Sequence, residues 1–329
     1  MRRGLIVGKF YPPHRGHHYL IDTALRQVDQ LTVIVCQKPG ECPMGPDRAA
    51  WLAALHPQAT ILLVDDVYDA NDSKLWAENC IRWLGSAPDV VFTSEDYGQA
   101  FAHHLGCVHV CVDRARTNIP ISGTQVRGDP LSVWEFLSPP VRGHYAQRVC
   151  LVGAESTGKT TLASQLAEHF QTVWTPEFGR DYSEEKLRVE GAYDWREDEF
   201  VTIALTQCRW EDCAARIANR LLICDTDAFA TSIWHRRYFG HRSTEVESIA
   251  SRHRRPDLYL LTDIAAPFVQ DGTRDGEQVR GWMHETFADE LTLQGRPFVR
   301  LTGTWAAQKK QAIEAIEERL LRVAQRPPG

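Results

Sequence analysis

Two glycine turns bearing basic side chains, each set between an apolar run and a helical pattern, constrain this chain more than any other feature. The first is Gly8-Lys9-Phe10-Tyr11-Pro12-Pro13-His14-Arg15-Gly16-His17, directly after Leu5-Ile6-Val7. The second is Gly153-Ala154-Glu155-Ser156-Thr157-Gly158-Lys159-Thr160, directly after Val149-Cys150-Leu151-Val152. In a strand–turn–helix connection of this kind, backbone N–H groups at the helix N-terminus can hold a phosphate. Two such sites in one chain point to two nucleotide-dependent reactions, readable as consecutive steps.

Strand-like runs alternate with helical periodicity around both loops. In the first half the strands are expected at residues 4–7, 31–35, 60–64 and 89–93, with helices at 16–28, 48–55 (Asp47 as N-cap) and 72–84. Alternation of this type indicates parallel sheets covered by helices, with ligands at the carboxyl ends of the strands. His14, Thr93 and Ser94 are expected there. Ser138-Pro139-Pro140-Val141-Arg142-Gly143-His144 breaks the pattern, after a short helix at 133–137. The predicted domains are therefore 1–143 and 144–329, in keeping with the size of a 329-residue chain. In the second, strands are expected at 149–152, 172–174, 221–224, 258–261 and 298–301, and helices at 159–170, 200–219 and 304–323.

Composition excludes several classes. A net charge of −6 gives no basic footprint for nucleic acid. No apolar stretch approaches the ~20 residues that span a bilayer, and no signal-peptide core follows Met1. The nine cysteines are scattered without a CxxC pair (the nearest approach is Cys107 and Cys111), as expected of thiols such as Cys36, Cys150 and Cys224 buried in a reducing compartment. A cytoplasmic protein is expected, with homo-oligomerisation left open.

His14-x-x-His17 is a poor zinc pair, because zinc-binding helices usually space histidines at i and i+4 and no third ligand is near. A phosphate site explains more. The stretch resembles the GxFxPxHxGH signature of the nucleotidylyltransferase superfamily, whose ISxTxxR element reads Ile121-Ser122-Gly123-Thr124-Gln125-Val126-Arg127 here. By that resemblance ATP is held by Gly8, Lys9, Phe10, His14, His17, Ser122, Thr124 and Arg127. His14 and His17 stabilise the transition state as a substrate phosphate attacks the α-phosphorus and expels pyrophosphate, with Mg2+ neutralising charge. Asp69-Ala70-Asn71-Asp72-Ser73-Lys74-Leu75-Trp76 looks like the nicotinamide-mononucleotide branch, in which Asn71 and Trp76 would hold the pyridine ring. Trp76 can equally be the apolar face of its helix, beside Cys80, Ile81 and Trp83. Arg48, after Asp47, resembles a nucleotide-contacting arginine of that branch or forms a surface ion pair.

The second loop satisfies the P-loop pattern in its required context. Gly153, Glu155, Ser156, Thr157, Gly158, Lys159, Thr160 and Thr161 are expected to hold ATP, with Lys159 on the β- and γ-phosphates and Thr160 on Mg2+. Asp225, ending an apolar strand, is the expected metal partner, and Asp227 the expected substrate contact. Glu177, in Pro176-Glu177-Phe178-Gly179-Arg180, is the candidate general base, or else pairs with Arg180. Riboside contacts are assigned to Glu177, Arg180 and Asp227. Asp271-Gly272-x-Arg274 resembles a lid in which Arg274 stabilises the transferring phosphoryl.

An adenylyltransferase followed by a P-loop kinase, with PEFGRDY-, DTD- and DGxR-like elements, resembles the NadR family. The resemblance covers residues 4–320. It implies an N-terminal Rossmann-like nucleotidylyltransferase sheet followed by a P-loop kinase α/β domain. It also implies phosphorylation of nicotinamide riboside to the mononucleotide (NMN), then adenylylation to NAD, with ATP and Mg2+. Some members begin with a helix-turn-helix domain, which is not expected ahead of a first strand at residue 4, so DNA repression is not expected. The compact loop 37–46 also departs from the family. Two other functions stay open: the same domain pair acting on a pantetheine or flavin precursor, and a nucleotide sensor with one degenerate site.

Overall fold

The computed structural model describes residues 1–69, 72–190, 194–264 and 277–321. Asn71, Asp271, Gly272 and Arg274 lie outside these. The chain divides into two compact units, Met1–His144 and Tyr145–Gly329.

The first unit runs β1 (Arg3–Gly8), α1 (Arg15–Leu25), β2 (Gln30–Gln37), α2 (Gly45–Leu55), β3 (Ala59–Asp65), α3 (Ser73–Leu84), β4 (Val90–Thr93), α4 (Gly98–Leu105), β5 (Val108–Cys111), α5 (Gly123–Gly128) and α6 (Pro139–Tyr145). Its strands pair in the order β3-β2-β1-β4-β5, all parallel. The strands read as unbroken apolar runs because both sheet faces are covered. Successive side chains alternate between two cores. Ile6, Val33 and Val35 pack with Leu20, Ile21 and Leu52 of α1 and α2. Leu5, Ile34 and Cys36 face Ala77, Cys80 and Phe101 of α3 and α4.

The second unit runs β6 (Gln147–Val152), α7 (Lys159–His169), β7 (Val173–Thr175), α8 (Phe178–Glu190), α9 (Glu197–Ile217), β8 (Leu221–Asp225), α10 (Ala228–Phe239), α11 (Thr244–Arg252), β9 (Leu258–Leu261), α12 (Arg280–Leu293), β10 (Phe298–Arg300) and α13 (Trp305–Ile316). The strand order is β10-β9-β6-β8-β7, again parallel. Val149 and Leu151 of β6 pack with Leu162 and Leu166 of α7 and with Ile316 of α13.

Two local expectations are corrected. Asp47 is not an N-cap: α2 begins at Gly45 with Met44 at the cap, so Asp47 follows Pro46 within the first turn, where a carboxylate still meets the positive helix end. The segment at 138–144 is helical rather than irregular, because α6 starts on Pro139-Pro140, and the two units divide at its end, between His144 and Tyr145. Proline in a helix's first turn gives up only an N–H that has no intrahelical acceptor. No helix among the described residues is long and apolar enough to cross a membrane.

Candidate active sites

The loop after β1 opens at the point where the first sheet reverses direction, between β1 and β4. That is where doubly wound sheets leave a crevice at the carboxyl ends of their strands. A cavity of about 670 Å3 lies there, and His14, His17, Thr93, Ser94, Ser122, Thr124 and Arg127 all line it. Gly8, Lys9 and Phe10 line it too, so every residue expected to bind ATP in this half reaches one cavity.

His14 is the N-cap of α1. Its Nδ1 accepts from the Gly16 N–H at 3.2 Å, and the His17 Nδ1 accepts from the His14 N–H at 3.3 Å, a reciprocal capping box built from imidazoles. A nitrogen that accepts carries no proton, so each ring keeps its hydrogen on Nε2. The rings stack at 3.7 Å, with Phe10 edge-on to His17 at 5.0 Å. Burial, then the neighbouring His18 and Arg116, lowers His14 to about 3. Burial and His14 hold His17 well below the ordinary imidazole value. Both rings are therefore neutral hydrogen-bond donors at pH 7.

The ISxTxxR element completes the wall. Ser122 is the N-cap of α5, accepting from the Gln125 N–H while the Gln125 side chain accepts from the Ser122 N–H. Arg127 donates to the Tyr11 carbonyl at 2.5 Å and to Thr124 Oγ1 at 3.1 Å, with its guanidinium over the Tyr11 ring. Tyr11 thus ties the two motifs together.

Several side chains are held by protein partners. The Lys9 ammonium sits 3.3 Å from Asp66. Arg48 is neither a surface pair nor a free nucleotide contact. It is fully buried, donating to the Lys9 carbonyl at 2.5 Å and pairing with Glu41, so it braces the loop from behind. Trp76 does not line the cavity; its indole donates to the Asp69 carbonyl and packs edge-on to Tyr68 and Trp83. Sequence reasoning missed Arg116 and Tyr97, which line the cavity from segments without a motif.

In the second unit the phosphate loop needs its glycines. Gly153 has φ +144°, and a Cβ there would stand 2.4 Å from Thr262 Oγ1; Gly158 has φ +81°, and a Cβ there would meet the Trp305 ring at 2.6 Å. Lys159, the first residue of α7, is buried, and its Nζ donates to the Ala154 carbonyl at 2.8 Å across the loop. Thr160 Oγ1 donates to Asp225 Oδ2 at 2.5 Å, because β8 lies next to β6. Asp225 is fully buried, and its other oxygen has no hydrogen-bond partner among the described residues. Burial raises its pKa against the pull of Lys159 and the Thr160 hydroxyl. A buried, orphaned carboxylate oxygen beside a P-loop threonine fits a hard cation or its water.

Glu177, Lys159, Arg180 and Glu155 line one end of a cavity of about 100 Å3. Burial pushes Glu177 up to about 7, with Lys159 pulling down and Asp225 pushing further up. Gln207 fixes the turn by accepting from the Phe178 N–H at 2.9 Å. The other end was not anticipated: Trp195, Phe200, Trp234 and Tyr238 form an aromatic wall. Trp195 and Phe200 each lie within 6 Å of Tyr238. Asp227 is not among the residues that line this cavity. Its carboxylate caps α10 by accepting from the Ala230 N–H at 2.9 Å and accepts the Tyr259 hydroxyl at 2.7 Å, so both oxygens are engaged away from the cavity.

A Rossmann-like sheet with paired imidazoles at its switch point, followed by a P-loop α/β unit, defines an α/β protein with two nucleotide sites. Residues 148–308 match a family model described as an AAA domain. The chain is 31% identical over 298 residues to the trifunctional NAD biosynthesis/regulator protein NadR of Escherichia coli strain K12, covering 82% of this chain and 71% of that protein. Two solved NadR structures share the fold across 97% of this chain and 96% of theirs. One, in complex with NAD and AMP-PNP, has a TM-score of 0.75 at 21% identity. The other, in complex with NR, has a TM-score of 0.79 at 19% identity. The chain belongs to the NadR family.

Proposed function

We propose that this chain makes NAD in two steps. The second unit transfers the γ-phosphoryl of ATP to the 5′-hydroxyl of nicotinamide riboside. The first unit then joins the resulting mononucleotide to the adenylyl group of a second ATP.

The observation that carries the reading is the split character of the second cavity. A flat, cationic pyridinium suits the aromatic wall of Trp195, Phe200, Trp234 and Tyr238. A riboside so held would turn its hydroxyl toward the polar residues, where Glu177, pushed up to about 7, would accept its proton. Lys159 and the loop N–H groups would bind the phosphates, and Arg180 the polar part of the riboside. Mg2+ would be held by Thr160 and Asp225 and would neutralise phosphate charge. A pantetheine or flavin precursor gives this wall no cationic ring to hold.

In the first unit the Nε2–H groups of His14 and His17 would donate to the α-phosphate as charge develops on its oxygens. Ser122, Thr124 and Arg127 would bind the outgoing pyrophosphate. The mononucleotide phosphate attacks phosphorus directly, so catalysis is positioning and electrostatics without a covalent intermediate. Trp76, half-buried beyond β3, is proposed as an aromatic face for the mononucleotide's pyridine ring. Homology to relatives named for NAD biosynthesis supports this assignment of the pair. A product assay with ATP and Mg2+ across a panel of ribosides tests it. Nicotinamide riboside should give NMN and NAD, and adenosine and pantetheine neither; ATP hydrolysis without any riboside-derived product would overturn it.

A further inference from the structure

Outside both nucleotide sites, three side chains converge where α9 begins and α10 ends. We propose that Glu197, His235 and His241 form a binding site for a divalent transition cation of the Zn2+ class, stapling the first turn of α9 to the segment after α10. Their ligand atoms all lie within 4.8 Å of one another.

The hydrogen bonding prepares both imidazoles for a metal. His235 Nδ1 lies 3.3 Å from the His241 carbonyl, and His241 Nδ1 lies 3.1 Å from the Phe239 carbonyl. A carbonyl can only accept, so each Nδ1 carries a proton and each Nε2 is the ring atom a cation would take. Backbone carbonyls fix metal-bound histidines in the same way. The two Nε2 atoms face one carboxylate: His241 Nε2 is 3.3 Å from Glu197 Oε1, and His235 Nε2 is 3.7 Å from Glu197 Oε2.

His235 is fully buried, and its Nε2 has no hydrogen-bond partner among the described residues. Two imidazole nitrogens thus converge on one carboxylate. A tetrahedral ion with bonds of about 2.0–2.1 Å holds its ligands about 3.3–3.4 Å apart, so it would draw these atoms, within 4.8 Å of one another, somewhat closer. Two imidazoles and one carboxylate favour Zn2+ or Co2+ over Mg2+, so the site would not compete for the cation that accompanies ATP. Glu197 and His241 are more than half exposed, which leaves an entry path and a fourth position for water. Phe200 packs edge-on to His235 at 5.5 Å and also lines the aromatic cavity, so an ion here would stiffen that wall.

The test uses the full chain, stripped with chelator and titrated with Zn2+ by calorimetry and with Co2+ by visible absorption. His241→Ala and Glu197→Ala alter exposed positions and spare the core. Wild type should bind one more ion per chain than either variant, or bind it at least about 10- to 100-fold more tightly, the cost of losing even an outer-shell partner. Its Co2+ complex should show a four-coordinate band that both variants lack. Equal uptake and affinity in all three proteins, or no uptake by wild type, would overturn the proposal.

Discussion

A histidine that caps its own helix through Nδ1 holds its tautomer in place, and this shapes the chemistry expected of His14 and His17. With His14 lowered to about 3 and His17 also well below its ordinary value, neither ring changes charge near neutrality. The adenylyl-transfer kcat/KM should therefore show no imidazole-type inflection between about pH 5 and 8. A limb near 6.5 assigned to either ring would contradict the neutral-donor account. The kinase step should behave differently. Glu177, pushed up to about 7, must be deprotonated to accept the hydroxyl proton. Its kcat/KM should thus rise to a plateau above that value and fall about tenfold per unit below it. Glu177→Gln should cost about 100- to 10,000-fold in kcat and abolish the limb. Trp234→Ala should raise the riboside KM by about 10-fold while largely sparing ATP binding, as loss of a cation–π wall implies. The phosphate residues were legible in sequence because each lies in a compact strand–turn–helix or helix-start motif, Gly8–His17, Ser122–Arg127 and Gly153–Thr161. Trp195, Trp234 and Tyr238 were not, since they meet only when α9 and α10 fold together. Their signal was faint: Trp234 and Tyr238 stand at i and i+4 on one helix.

At the scale of elements, the alternating sheets were legible because strands buried on both faces read as unbroken apolar runs. Helix starts were less so. Pro46 and Pro139 look like interruptions, yet both open helices, because a first turn has N–H groups to spare. Asp227 shows the same limit. An acid two residues after a strand end resembles a substrate ligand, but three-dimensional packing gives it the N-terminus of α10 and the Tyr259 hydroxyl. Asp227→Ala should destabilise the protein by about 1–3 kcal/mol, through the lost cap and the stranded hydroxyl. Thermal denaturation would check this, and an unchanged Tm with a raised riboside KM would return Asp227 to the substrate site.

At the scale of the molecule, each of the two units has its own sheet, its own glycine loop and its own candidate catalytic groups. In the proposed pathway the phosphate made in the second unit, at Glu177 and Lys159, would be the nucleophile used in the first, at His14 and His17. The most direct measurement follows products over time from nicotinamide riboside, ATP and Mg2+ in three proteins. Wild type should accumulate NMN transiently and finish as NAD. Lys159→Ala should make nothing from the riboside yet convert added NMN to NAD, His17→Ala should stop at NMN, and mixing the two variants should restore NAD. If either substitution silences both reactions while the fold survives, or if the mixture fails to make NAD, the two-site account is wrong.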